Sequence, residues 1–276
     1  MTHYVDYIAD QKRDPAIVAH RGAWHGAPEN SLAAIEQAIA VGADVVELDI
    51  RKSADGELFI MHDDTLLRMA GIDRGAETFT IAELQAIALR EDDGGEHRAT
   101  TDQRIPTLKQ ALEVIRGRIF ADLDLKDRSL FSEVAACARE MNAASYVDLK
   151  TRVMTREELD WVRAQNIDGV AFMAMSKFTA EGIHETMALL SEIKPFMCEM
   201  RFDSLETIKA NRQMFLDANM ALWTNTLNME ASGEWVDKTA LVDPDRIWGT
   251  LMDAGVSVFQ TDEPEALKAY LEGRRA

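Results

Sequence analysis

Short apolar runs rich in β-branched residues alternate with longer stretches of helical period along almost the whole chain, and this alternation limits the fold more than any other feature. The strand-like runs are 17–20, 44–50, 58–62, 119–125, 145–149, 169–173, 195–200, 220–223 and 256–260. Helix candidates lie between most of them, at 31–41, 81–89, 108–116, 129–142, 156–165, 180–191, 205–218 and 263–271. Ser31 and Ser204 stand where N-caps belong, because a serine oxygen accepts from the free N–H groups of a first helical turn. Strand–helix alternation of this kind implies a parallel sheet covered by helices. The 276 residues suit an α/β fold, a (β/α)8 TIM barrel of one domain over 1–276. An open doubly wound sheet shares the pattern. Nine runs for eight barrel slots leave one surplus. The region from Thr65 to Pro106, with Gly71, Gly75, Gly94 and Gly95, reads as a small insertion after the third run.

Charge narrows the function. Lys and Arg number 30 against 48 Asp and Glu, a formal net charge of −18. Such a surface repels nucleic acid and anionic lipid at long range, so an anionic substrate needs a local cation. The first fifteen residues carry charges and no apolar core, unlike a signal peptide, and no run is long enough to span a bilayer. Cys137 and Cys198 form neither a disulfide framework nor a zinc spacing. A cytoplasmic location without stable membrane insertion is expected. Homo-oligomerisation is left open.

Chemistry-bearing residues gather at the C-terminal ends of the runs. His20 and Arg21 end the first, Glu47 and Asp49 lie on the second, His62 and Asp63 end the third, and Asp122, Asp124 and Lys126 lie on the fourth. In a parallel barrel these ends open on one face, where active sites are built. Glu47 and Asp49 are two apart, so both point to the same side of a strand. Paired carboxylates on an otherwise apolar strand call for a cation, and oxygen ligands suit Mg²⁺ or Ca²⁺. The plainer reading is a strand whose acids face water. His20 and His62 can take and return protons near neutral pH, although either alone would suit a hydrogen-bonded core histidine. Arg21 and Lys126 could neutralise phosphate oxygens.

These residues fall in recognisable segments. "VAHRG" at 18–22, "APENS" at 27–31, "GADVVELDIRKSADGELFIMHDDTLLR" at 42–68, "IPTLKQALE" at 105–113, "WTNT" at 223–226 and "QTDEPEAL" at 260–267 resemble the glycerophosphodiester phosphodiesterase family over residues 17 to 270. The resemblance implies a TIM barrel with a small insertion, and hydrolysis of a glycerophosphodiester to glycerol 3-phosphate and an alcohol. It implies His20 and His62 as the catalytic pair and Glu47 and Asp49 as metal ligands. Arg21, Lys126, Asn30 and Trp223 form the implied phosphate- and substrate-binding set, and Glu29 with Asn30 matches positions that order the site.

The chain departs from the family on the fourth run, where Asp124-Leu125-Lys126 replaces the usual Glu-x-Lys. Asp124 is the expected third ligand, with Asp122 on the same face and a second Asp-Leu-Lys at 148–150. The Asp-Leu-Lys form also resembles sphingomyelinase D-like relatives, which keeps a lysophospholipase D or sphingomyelinase D-like activity in view beside a non-catalytic binding role. Met69-Ala70 replaces the usual Thr-Thr after "TLxR".

Overall fold

The computed structural model describes residues 2–228 and 233–275. Eight parallel strands form a closed barrel: β1 (Ala16–Ala19), β2 (Val45–Lys52), β3 (Phe120–Leu125), β4 (Val147–Arg152), β5 (Ala171–Phe178), β6 (Met197–Phe202), β7 (Ala221–Asn225) and β8 (Val256–Thr261). Pairing of β1 with both β2 and β8 closes the ring and excludes the open doubly wound sheet. The surplus run is Leu58–Ile60, which pairs antiparallel with the end of β2, Ile50 opposite Ile60 and Lys52 opposite Leu58. It is the returning arm of a hairpin, and it carries the chain to His62 at the barrel mouth.

Alternation along each strand divides the core. Val46, Leu48, Ala121, Leu123, Val147 and Leu149 face outward onto the covering helices. Val18, Val45, Phe120, Met173, Met197, Trp223 and Val258 face inward and fill the lower interior. The helix Tyr4–Ala9 closes the end of the barrel away from the mouth: the Tyr4 ring stacks on Phe120 at 4.5 Å and meets Phe196 edge-on at 5.2 Å. Higher in the barrel, inward positions are charged.

Most helices lie where the periodicity places them, while Tyr4–Ala9, Asp237–Ala240, Asp245–Gly249 and Thr250–Asp253 have no counterpart in it. Ser31 Oγ accepts from the Ala34 N–H at 3.1 Å and Ser204 Oγ from that of Glu206 at 3.2 Å. The expected helix 205–218 divides at Asn211 into Leu205–Ala210 and Arg212–Asp217. The insertion has its own apolar cluster, with Met61, Leu66, Met69, Phe79, Leu84 and Ile105 packed together. Its polar stretch includes an antiparallel pair, Ala88–Arg90 with Thr100–Arg104. None of the described helices is long and apolar enough to cross a membrane.

Candidate active site

Glu47 and Asp49 follow Val45 on the inward face of β2, in register with Asp122 and Asp124 of β3. Glu47, Asp49 and Asp124 each bring one carboxylate oxygen within 4.8 Å of the others. Asp122 shares the face but not the cluster. It is wholly buried lower in the barrel, with its carboxylate 2.7 Å from Lys150 Nζ. Asp124 is thus the acid the geometry joins to the β2 pair.

The loop after β1 shapes one wall. Arg21 and Asn30 both adopt left-handed backbone, φ 56° each, a conformation that costs non-glycine residues roughly 1–2 kcal/mol. In return the Arg21 N–H donates to Glu47 Oε2 at 3.1 Å, and the Asn30 amide donates to Asp49 Oδ2 at 2.6 Å. Asn30 Oδ1 also accepts from the Asp49 N–H at 3.2 Å. Buried Asn30 binds Asp49 through both ends of its amide and so orients that carboxylate. Gly22 lets the loop pass: its φ is +88°, and a Cβ there would meet that of Ala34 at 2.6 Å.

Electrostatics splits the two β2 acids. Burial, then neighbouring Asp49, pushes Glu47 well above the carboxylate range. Burial would raise Asp49 too, but Lys126, Arg21 and His62 overcome it and hold Asp49 low. Lys126 Nζ lies 2.7 Å from Asp49 and 2.8 Å from Asp124. The Arg21 guanidinium adds a second cation 3.5 Å from Asp49. Three carboxylate oxygens converging on one point remain a donor set that fits a hard divalent ion.

Each histidine is held by a carboxylate that sequence reasoning left without a role. His20, at the tip of β1, pairs through Nδ1 with Asp262 at 2.8 Å. Trp24 Nε1 donates to the same Asp262 oxygen at 3.2 Å, and the Asp262 N–H donates to Asp237 at 2.9 Å. Burial acts to raise Asp262, and the His20 partner outweighs it and holds the carboxyl low. His62 pairs through Nδ1 with Asp63 at 2.8 Å, and Arg68 grips Asp63 at 2.8 and 2.9 Å. Buried Arg51 fixes the His62 backbone, donating to the carbonyls of Met61 at 3.1 Å and His62 at 2.8 Å. An aspartate on Nδ1 keeps a proton there and turns Nε2 toward proton exchange. Among the described residues neither Nε2 has a protein partner.

Trp223 departs from its expected role. It has no exposed surface, and its indole N–H donates to Asn225 at 2.8 Å. Asn225 donates to Glu199 at 3.1 Å, Glu199 lies 3.1 Å from Lys150, and the Lys150 ammonium sits 5.7 Å from the Trp223 ring centre. Trp223 is part of the floor beneath the site, out of reach of a substrate at the mouth. The second Asp-Leu-Lys belongs to that floor, with Asp148 and Lys150 both buried.

Comparison with known proteins finds likeness both in sequence and in fold. The profile of the Glycerophosphoryl diester phosphodiesterase family matches residues 20–266. A glycerophosphodiester phosphodiesterase of Caldanaerobacter subterraneus is 36% identical over 107 residues, which are 38% of this chain and 42% of that protein. The chain thus spans less than half the length of that curated relative. A glycerophosphoryl diester phosphodiesterase structure from Parabacteroides distasonis superposes with a TM-score of 0.76 at 20% identity, covering 100% of this chain and 94% of the other. A phosphodiesterase structure from Oleispira antarctica, in complex with the product sn-glycerol-3-phosphate, gives a TM-score of 0.66 at 23% identity, covering 94% and 97%. At such identities the likeness speaks for the barrel.

Proposed function

Given that the chain belongs to the glycerophosphoryl diester phosphodiesterase family, we propose that it hydrolyses a glycerophosphodiester to sn-glycerol 3-phosphate and an alcohol, with a divalent cation, Mg²⁺ or Ca²⁺, and two histidines in acid and base roles. The observation that carries the reading is the placement of two aspartate-locked imidazoles around one cluster of three carboxylates. Glu47, Asp49 and Asp124 would hold the cation, which when bound supplies positive charge to a phosphate oxygen.

This chain's own groups account for the proton chemistry. One imidazole removes a proton from the attacking oxygen as it bonds to phosphorus. The other donates a proton to the alcohol oxygen as its bond to phosphorus breaks. Asp262 and Asp63 stabilise the imidazolium that forms at each position, and Lys126 and Arg21 add positive charge to the wall beside the phosphate. Water as attacking oxygen yields glycerol phosphate directly. A neighbouring glycerol hydroxyl yields a cyclic phosphate that water then opens.

The test is a panel of glycerophosphodiesters assayed with Mg²⁺, Ca²⁺ and Mn²⁺, with glycerol 3-phosphate read by a coupled dehydrogenase and cyclic phosphate by phosphorus NMR. Wild-type turnover that disappears in His20→Ala and in His62→Ala supports the assignment. Full activity in either variant would exclude it.

A further inference from the structure

Across the mouth from the carboxylates stand two cations that the scheme above does not use. Lys177 and Arg201 are the penultimate residues of β5 and β6 and lie in register as neighbours. Strand alternation sends both inward. Met173 and Met197, four residues before them, lie in the interior cluster, while Phe178, Met200 and Phe202 pack outside among the helices. Both side chains are exposed. Among eight strands, β5 lies opposite β1 and β6 opposite β2, so the pair faces His20, Glu47 and Asp49 over the opening.

Neither cation has an ion-pair partner among the described residues, in a chain with a formal charge of −18. Three acids on the adjoining strands and connections are engaged. Glu199, two residues below Arg201 on the same face, is held by Lys150 and Asn225. Glu158 binds Arg152 at the end of β4. Asp203 accepts from the Ala180 N–H and from Thr207. Like charges directly opposite each other on paired strands are unfavourable, and an anion placed between them removes that cost. The scissile phosphate already has Arg21 and Lys126 on its own side.

We propose that Lys177 and Arg201 form a cationic subsite for a second anionic group, a phosphate or a carboxylate, carried on the alcohol portion of the diester. The assignment rests on the phosphodiesterase reading. It makes the preferred substrate class a glycerophosphodiester whose leaving alcohol is itself anionic.

The experiment compares kcat/KM for glycerophosphoinositol phosphate and glycerophosphoserine, the phosphate and carboxylate arms, with that for neutral glycerophosphoglycerol and for glycerophosphocholine. Wild type should favour at least one anionic arm over the neutral diester. The ratio of anionic to neutral kcat/KM should fall about tenfold or more in K177Q/R201Q, as expected for loss of charge-assisted hydrogen bonds. K177E/R201E should shift preference toward glycerophosphocholine. The arm whose ratio falls identifies the anion. An unchanged ratio in both double variants, with diesters still cleaved, overturns the subsite and leaves the phosphodiesterase reading standing. Absence of wild-type turnover on every diester removes the reading itself and this inference with it.

Discussion

Arg68 donates to Glu29 at 2.6 Å, and through that contact the insertion is tied to the loop after β1. Glu29 also binds Arg21 at 3.1 Å, while Arg68 holds Asp63 and through it His62. One acid buried between two arginines therefore links both walls of the site. Arg68→Met removes this contact, leaving the Asp92 bonds to Gly26 and Glu29 N–H in place, and leaves the buried Glu29 carboxylate with Arg21 alone. Turnover should fall by about 10- to 100-fold, the usual scale for displaced catalytic groups. Stability should drop by about 1–3 kcal/mol, the cost of an undersatisfied buried acceptor. Steady-state kinetics and urea unfolding of the same preparation would separate the two effects. Wild-type kcat in Arg68→Met would mean that Asp63 orients His62 unaided.

Asp262 stands to His20 as Asp63 does to His62, but from the residue just past β8. Asp262→Asn would place an amide N–H or oxygen against Nδ1 and disturb the tautomer. We expect kcat to fall about 100-fold or more, the scale of general acid–base catalysis, with modest change in KM. The pH dependence of stability follows from the low folded-state position of Asp262. A depressed carboxyl contributes stability above its unfolded pKa of about 3.9. That contribution is lost as pH falls through the lower folded value. Wild type should therefore lose more Tm than Asp262→Asn between pH 5 and 3 (about one unit either side of the unfolded value). Equal losses in thermal scans would show that the pairing adds nothing to stability.

Much of this site could be read from the residues alone, and the missing parts share a cause. A period of two places Glu47 and Asp49 on one face wherever the strand lies, and the same rule places Asp124 beside them. It cannot rank Asp124 above Asp122, because both face inward and only height in the barrel, with Lys150 beneath, separates them. The run at Leu58 looks like a barrel strand, since three apolar residues pair equally well in an antiparallel arm. Trp223 and Asn30 carry motif signals, yet burial turns both toward other protein groups. Asp262 acts through His20, which only the closed barrel brings near, while Arg51 and Arg68 act through partners set by the turn of the β2 hairpin and the start of the insertion. Asp63, directly after His62, was visible as a neighbour, though its grip on the ring was not.

Asp237 has the opposite sign from Asp262. Burial pushes its carboxyl up to about 7, although Thr226 and the Asp262 N–H act to lower it. The folded protein thus holds this proton after the unfolded chain has released it. Stability from this group is full below about pH 4 and declines as pH rises toward 7. Asp237→Asn cannot ionise, so its Tm should gain on wild type from pH 5 to about 7 and level off by pH 8, whatever the offset from the altered hydrogen bond to Thr226. A constant Tm difference across that range would place the Asp237 pKa near its ordinary value.

Cation binding and proton release should be coupled at the carboxylate cluster. Without a cation, burial and Asp49 keep Glu47 protonated well above the usual range. A bound divalent ion favours the ionised form, so association must expel that proton. Titration calorimetry of Mg²⁺ or Ca²⁺ in buffers of different ionisation enthalpy should therefore give heats that vary with the buffer near neutral pH. Glu47→Gln should abolish that variation and weaken binding. Chelation should stop turnover and lower Tm, because an ion at 100 times its Kd stabilises the folded state by about 2.7 kcal/mol. Asp122→Asn tests which β3 acid belongs to the cluster. Its side chain lies against Lys150, so affinity for the ion should change far less than in Asp124→Asn. A larger loss in Asp122→Asn would move the third ligand one level down the barrel.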